Sequence, residues 1–242
     1  MLNFAAAKQK ADASPSLGNR AKRTDMQTAQ TTATAALFDL DGVVVNTEPQ
    51  YSGFWHQMGV DFLGMPDLEG RIKGQTLDFI FDRFFHGMTA EQAAITDRLN
   101  RFERSMSFDY IPGVMPLLAD LRTHGVRLAI VTSSNEEKMR TVRRVHPELW
   151  PAVDRVLTAE MFARSKPDPD CFLLGMRLLG STPATTYVLE DSFNGLRAAR
   201  ASGGTVIGLA TTNPAESIAP LADVVLSDFR CFGYREMMAI KR

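Results

Sequence analysis

With 242 residues, 45% of them hydrophobic, the chain is long enough for one sizeable core, or for a core carrying an inserted unit. Its 27 basic and 28 acidic side chains leave a net charge of −1, which argues against nucleic acid or a charged membrane surface as a partner. Cys171 and Cys231 are the sole cysteines and show no Cys-x-x-Cys or Cys/His spacing, which excludes a disulfide framework and a structural zinc and points to a reducing cytoplasm.

Residues 1–33 are rich in Ala, Thr, Gln, Ser and basic side chains without an apolar signal core, so they read as a disordered tail, with Met26 as an alternative start. Asp12 and Asp25 interrupt what would otherwise look like a transit peptide. No apolar run reaches the roughly 18 residues of a membrane span.

Ala35-Ala36-Leu37-Phe38 reads as a buried strand, and it ends in Asp39 and Asp41 astride Leu40, with Gly42 next. The two acids share one side of the strand. Ligands bind at strand ends in a parallel sheet, and two carboxylates buried there raise the free energy unless a cation offsets them.

Beyond that tip the apolar spacing becomes helical. Tyr51, Phe54, Trp55 and Met58 share a face after Thr47, a candidate cap, and Pro49, tolerated in a first turn. Ile95, Leu99, Phe102 and Met106 form a second stripe, with Thr89 and Gln92 matching a capping box. Ile111-Pro112-Gly113 breaks the segment, and a helix with Val114, Leu117, Leu118 and Leu121 ends near Gly125. Strands at Leu128–Val131, Arg155–Leu157, Tyr187–Leu189, Thr205–Leu209 and Asp223–Leu226 then alternate with helices at Glu136–Val145, Asp170–Leu179 and Asn194–Ala201. Such alternation predicts an α/β fold with a doubly wound parallel sheet: residues 34–48 and 112–242 form the core, and a small helical cap, 49–111, is inserted after the first strand.

Three strand ends carry chemistry: Asp39 and Asp41, then Thr132-Ser133-Ser134, then Glu190-Asp191-Ser192. Lys166 lies between the last two in Ser165-Lys166-Pro167-Asp168-Pro169. Singly these are ordinary caps, turns and a solvated lysine. In order and at strand ends they resemble the four motifs of the haloacid dehalogenase-like superfamily, in its β-phosphoglucomutase and sugar-phosphatase branch, over residues 35–209.

The resemblance implies that Asp39 is a nucleophile forming an aspartyl-phosphate and that Asp41 is the general acid and base. It implies Mg²⁺ held by Asp39, the Asp41 backbone carbonyl, Asp191 and Glu190, directly or through water. Lys166 would keep Asp39 ionised, and Thr132 with the following amide would bind the phosphoryl group, with Ser133 and Ser134 nearby. Cys171 and the Met and aromatic stripes read as packing. His56, His86, His124 and His146 have no spacing that implies a metal site.

In mutases of this branch a cap histidine follows the leading threonine by four, and a cap arginine follows a Lys-Gly. Here those positions hold Tyr51 and, after Lys73-Gly74, Leu77. The expectation is therefore a phosphatase acting on a small phosphorylated metabolite such as a sugar phosphate, with a mutase as runner-up if Arg71, Lys73 or Arg104 grips a second phosphate. Inorganic pyrophosphate and a non-catalytic metabolite-binding module are remoter alternatives. Asp41 argues against dehalogenase and phosphonatase chemistry. Tyr51, Trp55, Arg71, Lys73 and Gln75 are candidates to face substrate; the sequence does not fix the oligomeric state, and a monomer is favoured.

Overall fold

The computed structural model describes residues 32–240. The expected tail, up to residue 31, and the alternative start at Met26 lie outside them.

Among the described residues six strands form one fully parallel sheet: β1 (Ala35–Phe38), β2 (Arg127–Val131), β3 (Arg155–Leu157), β4 (Thr186–Glu190), β5 (Thr205–Leu209) and β6 (Val224–Leu226). Their spatial order is β3-β2-β1-β4-β5-β6. The chain runs outward from β1 to one edge and returns to the other side at β4. The topological switch, where ligands bind in such sheets, therefore lies at the carboxyl ends of β1 and its two neighbours.

Strand side chains sort by parity. Ala36, Phe38, Leu128, Ile130 and Leu189 join one core cluster, while Ala35, Leu37, Ala129, Val131 and Val188 join the other. A sheet covered on both faces needs such continuous apolar runs, which explains why its strands lack polar alternation. Asp39 keeps the register one residue past β1, its amide donating to Leu189 O at 3.0 Å.

The helices follow as α1 (Glu48–Leu63), α2 (Leu68–Ile72), α3 (Leu77–Phe84), α4 (Thr89–Ser105), α5 (Val114–Thr123), α6 (Glu136–Val145), α7 (Leu149–Ala152), α8 (Asp170–Leu179), α9 (Phe193–Ser202), α10 (Ala215–Ile218) and α11 (Tyr234–Met238). The first four share a third cluster around Trp55, Met58, Leu68, Phe85, Ile95 and Leu99. The two chain segments joining them to the sheet run side by side. Asn46 N donates to Asp109 O (2.8 Å) and Ile111 N to Val44 O (2.9 Å).

Two expected caps differ. Thr89 is the first residue of α4, which has Met88 as its cap residue and no side-chain cap; Gln92 instead donates to Phe85 O at 2.9 Å. Thr47 occupies the cap position of α1 but accepts from none of its amides, and its hydroxyl donates to Asp41. Helices α2 and α3 were not expected. Five residues around Gly70 carry little signal, whereas Leu77, Ile80, Phe81 and Phe84 do follow a helical face behind the Thr76 cap.

Candidate active site

Strand β1 delivers Asp39 and Asp41 to the switch, and Gly42 turns the chain away at φ +77°. A β-carbon at Gly42 would run into the Asp191 carboxylate, so glycine is required both for the turn and for the approach of the two loops. Lys166, fully buried, donates to Asp39 Oδ1 at 2.5 Å and to Glu190 Oε1 at 2.6 Å. Its ammonium also lies 5.0 Å from the centre of the Phe172 ring.

Glu190 ends β4 and its second oxygen accepts from the Asp191 amide (2.8 Å), the Ser192 amide (2.9 Å) and the Ser192 hydroxyl (3.1 Å). Four protein donors thus occupy its carboxylate. Asp191, 1% exposed, accepts from the Thr212 hydroxyl on Oδ2 and from Asn213 Nδ2 on its carbonyl at 2.9 Å.

Asp39, Glu190 and Asp191 each offer an oxygen within 4.8 Å of the others. One lysine cannot balance them. Burial, against the pull of Lys166 and with the repulsion of Glu190 and Asp41, pushes Asp39 up to about 8. Burial and Glu190 likewise push Asp191 well above the carboxylate range. Burial opposes the charge on Lys166, but Asp39 and Glu190 outweigh it and hold the ammonium protonated. A buried set of hard oxygen donors with excess negative charge fits a small divalent cation such as Mg²⁺.

Asp41 is gripped separately. Lys138 Nζ lies 2.6 Å from both of its oxygens, the Ser134 hydroxyl donates at 3.1 Å, and the Thr47 hydroxyl donates to Oδ1. Lys138 comes from α6, is 2% exposed, donates also to Ser134 Oγ at 2.9 Å and stands 4.5 Å over the Tyr51 ring. Thr132 Oγ1 accepts the Ser134 amide at 3.0 Å, which leaves its own proton to donate.

Of the expected site residues, Asp39, Asp41, Thr132, Ser133, Ser134, Lys73, Tyr51 and Asp191 line one cavity of about 300 Å³, with Lys166 and Glu190 buried behind it. Several have local partners that sequence did not reveal. The Ser133 hydroxyl donates to Gly74 O at 2.9 Å and so ties the helical segment to the sheet. Lys73 pairs with Glu48 at 3.4 Å, and the Tyr51 hydroxyl donates to Glu103 at 2.6 Å. Arg71 pairs with Asp67 at the surface. Lys138, Glu103 and Thr212 were not singled out from the sequence, and Thr47 was read there as a helix cap rather than as a partner of Asp41. Lys138 had a signal: it precedes Val142 by four on the buried face of α6.

The sequence model of the haloacid dehalogenase-like hydrolases matches residues 33–203. Hexitol phosphatase A of Escherichia coli (strain K12) is 32% identical over 177 residues, 72% of this chain and 81% of that protein. The β-phosphoglucomutase of Bacillus subtilis (strain 168) is 27% identical over 74% of this chain and 84% of its own length. A HAD hydrolase, family IA, variant 3, from Entamoeba histolytica shares the fold with a TM-score of 0.73 at 21% identity, over 85% of this chain and 98% of that one. Motifs at three strand ends, the buried lysine between acids and these matches agree: the chain belongs to the haloacid dehalogenase-like hydrolase family, in its β-phosphoglucomutase and sugar-phosphatase branch.

Proposed function

We propose that this phosphatase hydrolyses a small phosphorylated carbohydrate with Mg²⁺ as cofactor and Asp39 as nucleophile. The observation that carries the reading is the convergence of Asp39, Lys166, Glu190 and Asp191, from three separated chain segments, behind one cavity. Asp39, the Asp41 carbonyl and Asp191 are the ligands we assign to the metal. Glu190, with four protein donors already on it, serves instead to anchor Lys166. The ion supplies positive charge that lowers the repulsion between an anionic nucleophile and an anionic phosphate.

In the first step an Asp39 oxygen attacks phosphorus, the ester bond breaks, and Asp41 gives its proton to the departing alkoxide. In the second, water attacks the aspartyl-phosphate, Asp41 takes the water's proton, and phosphate leaves with the Asp39 carboxylate restored. Lys138, Ser134 and Thr47 hold the Asp41 side chain in one orientation through both transfers. Thr132 donates to the phosphoryl oxygens, while the inserted helices exclude bulk water.

A phosphatase is favoured over a mutase because each cation weighed for a second phosphate is otherwise engaged. Arg71 binds Asp67, Lys73 binds Glu48, and Arg104 binds Glu137. Unpaired thiols at Cys171 and Cys231 support a cytoplasmic setting.

The test is phosphate release from a panel of phosphate esters with and without Mg²⁺. We expect Mg²⁺-dependent turnover that Asp39→Asn reduces by at least about 10³-fold. Unchanged turnover in that variant removes the nucleophile assignment, and bisphosphate-dependent conversion of β-glucose-1-phosphate to glucose-6-phosphate without released phosphate overturns the phosphatase reading.

A further inference from the structure

The helical wall of the cavity presents buried acceptors to which no described residue donates a hydrogen bond. Glu103, 6% exposed, takes the Tyr51 hydroxyl on Oε1, and no described residue donates to its Oε2. Glu48 Oε2 also accepts no hydrogen bond, Lys73 Nζ standing 3.4 Å away at ion-pair distance. Gln75 Oε1 and Glu69 Oε2 are buried without a donor as well. All four residues line the same cavity. A buried acceptor left unpaired is costly, and four on one wall are accounted for by a ligand that brings donors.

Charge restricts which donors these are. The cavity is lined by eight carboxylates and two lysines, and both lysines are already paired, Lys138 with Asp41 and Lys73 with Glu48. One anionic group can be balanced at the metal and Lys166. A second phosphate at the far end would meet carboxylates with no spare cation, whereas neutral hydroxyls donate to them freely. Trp55, Ile80 and Leu99 supply apolar surface for a short carbon chain between the two ends.

We propose that Glu103 and Glu48, with Gln75, form a subsite for the hydroxyl groups at the unphosphorylated end of the substrate. The subsite makes the enzyme selective for polyhydroxylated monophosphates over bisphosphates and over esters with an apolar tail. Tyr51 acts as a positioning residue: by binding Oε1 of Glu103 it leaves Oε2 for the ligand. The inference rests on the phosphatase reading and names its substrate class.

The experiment compares kcat/KM of the Mg²⁺-loaded full chain for a six-carbon polyol monophosphate, hexyl phosphate and fructose-1,6-bisphosphate, with p-nitrophenyl phosphate as a general reporter. The polyol ester is expected to exceed the other two alkyl substrates by roughly 100-fold, about tenfold for each of two charged acceptor bonds. Glu103→Gln, which keeps size but puts an amide donor in place of the free oxygen, should lower the polyol-to-hexyl ratio about tenfold, and Glu48→Gln likewise. A ratio is read because lost folded protein lowers both rates equally. Equal turnover of polyol and hexyl esters, or an unchanged ratio in folded Glu103→Gln, overturns the subsite while p-nitrophenyl phosphate hydrolysis leaves the phosphatase standing. Absence of turnover on every ester overturns both.

Discussion

Lys138 places its ammonium against both oxygens of Asp41 although 97 residues separate them. In the mechanism we propose, Asp41 gives a proton to one oxygen and then takes one from water, which confines it to a narrow range of orientations, and misplacement by about 1 Å costs on the order of 10²-fold in rate. Lys138→Met removes the charge and two hydrogen bonds from Asp41 but keeps the stem that fills the helix face. We expect kcat to fall roughly 10²-fold, with partial recovery in Lys138→Arg, measured by steady-state phosphate release. A kcat within twofold of the parent would show that Thr47 and Ser134 suffice. The burial of position 138 was legible, since it shares its helix face with Val142. Its partner was not, because helical periodicity tells which side faces inward and nothing about what waits there.

At the scale of elements, the junction of β4 and α9 does two jobs. Ser192 caps the helix, its hydroxyl accepting Gly195 N at 3.0 Å, and the first amides of the turn donate to Glu190. An acid at a helix amino terminus is stabilised by those amides and by the helix dipole. Glu190 can therefore remain an acceptor for Lys166 in a fully buried position. Gly195→Ala gains about 1 kcal/mol of helix propensity, yet its new β-carbon would collide with the Glu190 carboxylate. The collision wins because Lys166, the Asp191 and Ser192 amides and the Ser192 hydroxyl pin the Glu190 carboxylate, so it cannot swing aside without losing them. A lower melting temperature and at least tenfold less activity are expected; a stabilised, fully active variant would refute this. The strands and the longer core helices could be read from the chain to within a residue or two, as at Phe193–Ser202, expected from Asn194 to Ala201. The short helix Leu68–Ile72 could not be read so easily, since tertiary packing around Trp55 and Phe85 supports it more than its own pattern does, whereas Leu77–Phe84 carries a helical face of its own.

Across the whole molecule, two loops at the sheet and the first turn of α9 hold one stretch of the helical segment. Ser133 Oγ donates to Gly74 O, Asn194 Nδ2 to Lys73 O, and the Thr76 amide to Ser165 Oγ, each at 2.9 Å. Closing the cavity this way concentrates its acids, with a consequence for stability. Asp39 has its proton held to about 8 against 3.8 for the free side chain, and Asp191, Glu48 and Glu103 are shifted in the same direction, each chiefly by burial. For such groups the folded state binds protons more tightly than the unfolded one. Their contribution is present below about pH 4 and is lost as pH rises through about 8. In EDTA the melting temperature should therefore fall between pH 5.5 and 8.5, and the rise on adding Mg²⁺ should be larger at pH 8.5. A melting temperature in EDTA that rises over this range, or that ignores Mg²⁺ at pH 8.5, would contradict this account. The order of strands and helices, the parallel sheet and the acids, hydroxyls and lysine at its strand ends were determined by the sequence alone, because side-chain period and turn chemistry are local properties. Which charges meet was decided only by tertiary structure: Lys166 with Asp39 across 127 positions, Lys138 with Asp41, Tyr51 with Glu103. Electrostatic pairing depends on distance and on exclusion of water, and both come into being when the loops close together.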